Sequence, residues 1–405
     1  MNKFFQIISN YRSEAIYLQK ELVRRPALGP ENLGQGELNK AIFIENYLNQ
    51  FGLKANWFKA KDVRVECGFR PNLVFTYPGK KDKKLWIIAH LDVVPPGDLS
   101  LWQTDPFELK VDGDLVYGRG VEDNHQAIVS SLLVAKVLAE HSLQPDYGLG
   151  LVFVADEETG NKYGLQFLVD HYPQLFAEQD LFLVPDHGAA DGTEIEIAEK
   201  SMCWLKIEVL GQQCHASVPD KGKNSLLACA DYILHLAQEL PNHFDLKDSL
   251  FNPPYSTFVP TKKEANVENI NTIPGRDVFY LDCRVLPNYS LEQVLDEIKT
   301  IGKSISQKHG VNLNFELVLN EPAAPKLDPD SALVRRLQRS ILKVLGKKPK
   351  LVGIGGGTVA AILRRKGYPA VVWSSLLGFA HQPNERSSLA NTLNDAKVMF
   401  DLLFG

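Results

Sequence analysis

Cysteine is sparse in this chain. The five present in 405 residues (Cys67, Cys203, Cys214, Cys229 and Cys283) are odd in number and form no CxxC, which argues against a disulfide framework or a thiolate-rich structural zinc. They fit buried thiols in a reducing compartment, so a cytoplasmic location is expected. Long hydrophobic runs are also missing: no stretch approaches the roughly 18 apolar residues that a membrane span requires. The opening MNKFFQIISNYRSEAIYLQKEL has neither an uninterrupted apolar region nor a small-residue cleavage site. It reads as an amphipathic helix rather than a signal peptide, and no membrane partner is expected. Nor is there an excess of positive charge. Lys plus Arg number 44 against 49 Asp plus Glu, a formal net charge of −5, with no basic tail or stripe, which argues against a nucleic-acid partner. The one dense basic run, GKKDKK with Lys80–Lys84, is expected to be a solvated hairpin between two strands. There is no internal repeat and no low-complexity tract.

What is present is a chain long enough for two or more domains, with an apolar share of 44% that suffices for real cores. Helices are expected up to about Tyr47, broken by Pro26, Gly29 and Pro30. Short, nearly continuous apolar runs follow at 72–77, 85–89, 149–155 and 181–184, as in strands buried on both faces. A long helix at 124–140 and a short one at 163–170 separate them, giving an α/β sandwich with helices on both faces of the sheet. From about Ser201 the pattern changes. An alternating strand at 203–210, a helix at 224–240, a strand at 278–284, a helix at 291–309 and a strand at 311–317 suit a four-stranded, two-helix layer. The first pattern resumes from Asp330, through the Gly353–Gly357 turn to a strand at 370–373. The expected organisation is one α/β domain in two parts, residues 1–200 and 318–405, interrupted by a small α+β domain over 201–317.

Chemistry-bearing residues gather after the apolar strands. In AHLDVVPPG, His90 ends a buried strand, where α/β sheets place ligand groups, and Asp92 two residues on can accept the second N–H of a metal-binding imidazole. In YGRGVEDNHQA, glycines at 118 and 120 precede a helix, and Asp123 stands at its start either as a ligand or as a plain N-cap. In VFVADEETG, Glu157 and Glu158 follow a strand with Asp156 beside them; such crowding of acids calls for cations. One of the two glutamates can bind metal while the other serves as base. Asp186 in LFLVPDHG and His381 in GFAHQPNERS complete the set, while His125 and His187 are expected outside it. Two imidazoles and three carboxylates suit a pair of divalent ions, zinc first, with cobalt or manganese as alternatives. The Gly353–Gly357 run lacks both GxGxxG spacing and a Lys-Ser/Thr ending, which disfavours a nucleotide enzyme.

These motifs, with GQQCHASVP, NTIPG, DCR, GIGGGT and HQPNE in the same order, resemble the M20 family of metallopeptidases and deacylases over essentially the whole chain. The resemblance implies a mixed-sheet dinuclear metallopeptidase domain carrying a small lid and dimerisation domain. It implies His90 and Asp186 on one ion, Glu158 and His381 on the other, and Asp123 bridging both, joined to Asn124 by a cis peptide bond. Asp92 orients His90, Glu157 is the general base, and a water shared by the two ions is the nucleophile. His215 resembles the family's mobile histidine that stabilises the oxyanion, on its own or on the partner subunit's site. Arg284, Thr358 with Gly357, and Asn271 (with Asn266 and Asn269 competing) resemble groups that hold the substrate, and a homodimer through the inserted domain is implied.

The expected activity is hydrolysis of peptide or amide bonds in small substrates with a free α-carboxylate, dipeptidase- or exopeptidase-like. Asp186 favours this reading, since N-acyl deacylases of the family mostly carry Glu there. Ala360 and Ala361 stand where the desuccinylase pattern carries polar residues. The alternatives are a deacylase of succinyl or acetyl amino acids and an inactive binding module on the same fold.

Overall fold

Residues 1–404 are described by the computed structural model, and they open with three helices, α1 (Asn2–Ser9), α2 (Arg12–Val23) and α3 (Leu38–Asn49). Next come β1 (Asn56–Lys61), β2 (Phe69–Tyr77), β3 (Lys81–His90), β4 (Lys110–Asp112) and β5 (Leu115–Tyr117). They are followed by α4 (His125–Glu140), β6 (Tyr147–Val154), α5 (Leu165–His171), β7 (Leu181–Val184) and β8 (Glu194–Glu199). A second group holds β9 (Ser201–Leu210), β10 (Cys214–His215), α6 (Ser225–His243), β11 (Thr257–Lys263), β12 (Thr272–Ile273), β13 (Arg276–Val285), α7 (Leu291–His309) and β14 (Asn312–Glu321). The chain ends with α8 (Ala332–Leu345), β15 (Lys350–Ile354), α9 (Val359–Arg365), β16 (Ala370–Val372), β17 (Arg386–Ser388) and α10 (Leu389–Leu403).

Two compact units emerge. The larger comprises Met1–Ile197, Lys326–Leu351 and Thr358–Gly405; the smaller comprises Ala198–Pro325 with Val352–Gly357. An eight-stranded mixed sheet runs in the order β1-β2-β6-β3-β7-β16-β8-β15, parallel at β6-β3-β7-β16 and antiparallel at β1-β2-β6 and β16-β8. The α/β architecture expected from the alternation of elements is the one observed.

Strand periodicity divides the sheet's residues between its faces. Trp86 and Ile88 of β3, with Val152 and Val154 of β6, pack under Leu165 and Leu168 of α5 and Val359, Ile362 and Leu363 of α9. Leu85 and Ile87 point to the other face, the side on which α4 meets β3. Each such buried side chain contributes about 1.5–3 kcal/mol. Helix α4 is buried on nearly every side, as its Ala, Val and Leu content requires of a helix packed against α2, α10 and the sheet. Gly150 on β6 is glycine because a Cβ there would lie 2.0 Å from the Trp86 ring.

The Lys80–Lys84 run does not make a hairpin. Strand β6 lies between β2 and β3, so the basic run instead forms the exposed first half of β3. The edge strand β1, the β17-β5-β4 sheet and β8 were not expected, although the Glu-Ile-Glu-Ile alternation of β8 is itself a strand pattern.

In the smaller unit a four-stranded antiparallel sheet, β11-β13-β9-β14, is backed by α6 and α7. Strand β9 alternates buried and less buried residues, and its inward Cys203, Leu205, Ile207 and Val209 meet Tyr232 and Leu236 of α6 and Ile298 and Ile301 of α7. Helix α7 starts at a capping box, Ser290 with Gln293, and stops at Gly310, whose φ of 66° is the left-handed conformation that glycine adopts cheaply. All five cysteines are free thiols, three of them buried. Among the described residues no helix is long and apolar enough to cross a membrane.

Candidate metal centre

Five segments of the larger unit, carrying His90, Asp123, Glu157 with Glu158, Asp186 and His381, converge at the C-terminal ends of β3, β6 and β7. His90 is the last residue of β3 and is 2% exposed. Its Nδ1 lies 3.0 Å from the carbonyl oxygen of Asp92, an acceptor only, which makes Nδ1 a donor and leaves Nε2 as the nitrogen that faces Asp123. The Asp92 carboxylate is 3.5 Å from the same Nδ1 but is spent elsewhere. It accepts the backbone N–H groups of Glu157 and Glu158, both at 3.0 Å, and so fixes the turn after β6. Asp156 braces that turn from the other side: its φ is 61°, and its carboxylate accepts from Thr159 Oγ1 and from Tyr163 N at 3.0 Å.

Asp123 sits between two imidazoles. Its Oδ1 is 2.8 Å from His90 Nε2 and its Oδ2 is 3.1 Å from His381 Nε2. The Asp123–Asn124 peptide is cis. Asn124 donates its side-chain amide to Asp186 Oδ1 at 2.7 Å and to the Pro185 carbonyl at 3.1 Å, holding Asp186 with Oδ1 3.6 Å from His90 Nε2. On the other side Glu158 Oε2 lies 3.1 Å from His381 Nε2. Glu157 falls with His90 and Asp186 in a group whose donor atoms lie within 4.8 Å of one another, and its carboxylate receives no hydrogen bond from the described residues.

Crowding of buried acids dominates the electrostatics of the cluster. Burial, then Asp186, pushes the Glu157 carboxyl well above the usual range, and burial, then Asp123, pushes Glu158 up to about 7. Hydrogen bonds to Asp123 and Glu158 push His381 up to about 10. Burial opposes charge on Asp123, yet the hydrogen bonds from His381 and His90 hold it below the ordinary carboxylate range. A tetrahedral zinc with bonds near 2.0 Å keeps its ligand atoms about 3.3 Å apart. The separations of 2.8, 3.1, 3.1 and 3.6 Å around His90, Asp123, Asp186, Glu158 and His381 bracket that value, and the imidazole and carboxylate donors suit such an ion.

His125 is buried and paired with Lys40, whose Nζ lies 2.8 Å from His125 Nε2 and donates to the Leu91 carbonyl at 2.7 Å. His187 lies 3.8 Å from Glu194. In the smaller unit, His215 on β10 is exposed; its Nδ1 pairs with Ser217 Oγ at 2.8 Å, and Asn271 Nδ2 lies 3.5 Å from its Nε2. Asn266 is already committed to Asp277. Arg284 grips Asp282 with two N–H groups, at 2.7 and 3.0 Å, and donates to the Gly355 carbonyl at 2.9 Å, so its guanidinium is engaged within the smaller unit. Gly357 packs near Met202, and Thr358 is the N-cap of α9, accepting from Ala360 N at 3.2 Å.

Sequence reasoning gave no role to Asn124's side chain, Glu122 or Glu385. All three are buried, and the two glutamates lie inside motifs already singled out, GRGVEDN and HQPNE. Their burial is the signal that residue type and spacing did not carry.

The profile of peptidase family M20/M25/M40 matches residues 86–404. A metallohydrolase of Methanococcus maripaludis is 40% identical, over 96% of this chain and 98% of its own. A succinyl-diaminopimelate desuccinylase of a Nitratiruptor species is 29% identical, over 93% of this chain and 95% of its own. Among solved structures, human carnosine dipeptidase 1 superposes with a TM-score of 0.76 at 16% identity, covering 99% of this chain and 98% of that one.

Proposed function

The chain belongs to peptidase family M20/M25/M40, whose members are metal-dependent hydrolytic enzymes, and from that premise we propose that it cleaves peptide bonds of small α-carboxylate substrates at a two-cation centre. In this reading His90, Asp123 and Asp186 hold one divalent ion, and Asp123, Glu158 and His381 hold the other. The observation that carries it is Asp123, whose two oxygens address two different imidazoles at 2.8 and 3.1 Å. Zinc is the proposed ion, with cobalt or manganese as substitutes. When bound, the pair lowers the pKa of water and polarises the scissile carbonyl.

The rest is done by the chain's own groups. Glu157, its backbone held by Asp92, takes a proton from the attacking water and hands it to the leaving nitrogen as the C–N bond breaks. The hydroxyl stays on the carbonyl carbon, so the products are a carboxylate and an amine. Asp92 keeps the correct tautomer on His90, and Asn124 keeps Asp186 turned toward it. His215 is assigned to the developing oxyanion, and Arg284, Asn271, Thr358 and Gly357 to holding the substrate. The smaller unit is proposed as a lid and as the contact of a homodimer.

A deacylase of N-succinyl or N-acetyl amino acids is the second reading, favoured by the desuccinylase among the relatives. The shorter carboxylate of Asp186, where deacylases mostly carry Glu, puts the peptidase first. The deciding experiment is hydrolysis, by zinc- or cobalt-loaded protein, of free-amine dipeptides against N-acetyl and N-succinyl amino acids with the same C-terminal residue. Preference for the acylated compounds overturns the peptidase reading.

A further inference from the structure

Glu122 and Glu385 are 1% and 0% exposed, and neither belongs to the set of donors around Asp123. Each nevertheless sits beside one of its members in sequence: Glu122 directly before Asp123, Glu385 four residues after His381. Their carboxylates cross. Glu122 accepts the backbone N–H groups of Leu377, Gly378 and Phe379 (3.0 Å at Gly378), in the loop that leads into His381. Glu385 accepts those of Gly120, Glu122 and Asp123 at 3.0, 3.0 and 3.1 Å, in the loop that ends at Asp123, and takes Arg119 Nη1 at 2.5 Å. Each loop thus supplies the acid that satisfies the other loop's orphan N–H groups.

A second observation points the same way. His381 has a φ of 64° and Asn384 one of 57°, a left-handed conformation that costs a side-chain-bearing residue energy and persists where the surroundings over-determine it. Glu122 pins the chain just before His381, and Glu385 pins it just after. Asn384 adds a third tie, accepting from Gln103 N at 2.7 Å and donating to the Leu101 carbonyl at 2.8 Å. His381 itself is half exposed, so packing alone does not hold its ring.

We propose that Glu122 and Glu385 are positioning residues forming a reciprocal clasp, which sets the distance from His381 to Asp123 and thereby the affinity of the ion held by Asp123, Glu158 and His381. The ion held by His90, Asp123 and Asp186 depends on it less, because His90 and Asp186 are fixed by Asp92 and Asn124. This rests on the two-cation reading above.

The test uses Glu122→Gln and Glu385→Gln, each of which replaces one acceptor oxygen by an NH2 that faces backbone N–H donors. Metal content by mass spectrometry and zinc affinities from competition with a chromophoric chelator are measured for wild type, both variants and the double variant. Amide hydrogen exchange of the metal-free proteins is followed alongside. The expected result is two ions in wild type and one ion weakened at least tenfold in each variant, with the other within a factor of about three. The double variant is expected to be no weaker than the worse single one, because either change opens the same clasp. Exchange should quicken across the clasp, at 377–381 in Glu122→Gln and at 118–123 in Glu385→Gln, while α7 of the smaller unit keeps its protection. Wild-type affinities for both ions in the variants, or equal weakening of the two, overturn the clasp alone. A wild-type chain that takes up one ion overturns the two-cation reading and the clasp together.

Discussion

Removing a negative charge from the centre is expected to stabilise the metal-free protein, and Glu158→Gln isolates the effect. Glu158 is buried beside Asp123, and its carboxyl is pushed up from 4.5 to about 7. A carboxyl whose folded pKa is raised holds its proton more tightly folded than unfolded. Its contribution is therefore fully present below pH 4.5 and lost as pH rises through 7. Relative to a side chain that does not titrate, the raised pKa lowers folding stability by about 3 kcal/mol at pH 8 and by under about 1 kcal/mol at pH 5. Glutamine copies the shape of the protonated acid and cannot ionise. In a chelator, Glu158→Gln should therefore exceed wild type in stability by up to about 3 kcal/mol at pH 8, with the difference mostly gone at pH 5. Urea unfolding followed by the fluorescence of Trp86 and Trp373, both buried in the larger unit, measures this. Zinc should reverse the order, because it stabilises wild type by mass action and has lost a carboxylate in the variant. A metal-free wild type that is the more stable of the two at pH 8 would refute the argument.

Other consequences are simpler to check. Glu157→Gln should keep the metal content of wild type and lose about 10²–10⁴ in kcat, read by mass spectrometry and a dipeptide assay. Treatment with a strong chelator should abolish turnover, and stoichiometric zinc should restore it. Asn124→Ala frees Asp186 and should weaken metal binding about tenfold with little change in the circular dichroism spectrum. Gly150→Ala forces a Cβ to 2.0 Å from the Trp86 ring and should cost about 1–3 kcal/mol or more, seen as a lower urea midpoint with catalytic constants unchanged in the protein that folds.

How much of this was legible in the sequence depended on the range of the interactions. LWIIAH, LVFV and LFLV announced buried strands by composition alone, and the helix expected at 291–309 is the observed α7. The proposed donors His90, Asp123, Glu158, Asp186 and His381 stand out in the sequence because each follows a strand or a glycine-containing loop. That Asp92 would spend its carboxylate on the Glu157 and Glu158 amides, and offer His90 a carbonyl instead, was not legible. Spacing predicts which side chains are near, not which of their oxygens is used. The Glu122–Glu385 crossing is a contact between residues far apart in sequence, visible only once both loops are folded. The misread hairpin at Lys80–Lys84 has the same cause, since strand order is a non-local property.

The position of β16 carries a consequence for how the protein is made. It pairs with β7 on one side and β8 on the other, and it is synthesised only after residues 198–325 have emerged. Until then the apolar LFLV strand is an open edge, and β8 has no neighbour on the side β16 will fill. A nascent chain halted anywhere in that interval presents an unpaired hydrophobic strand to other chains, the kind of surface that recruits chaperones or seeds aggregation. The slot in the sheet stays open for as long as the ribosome dwells on residues 198–325.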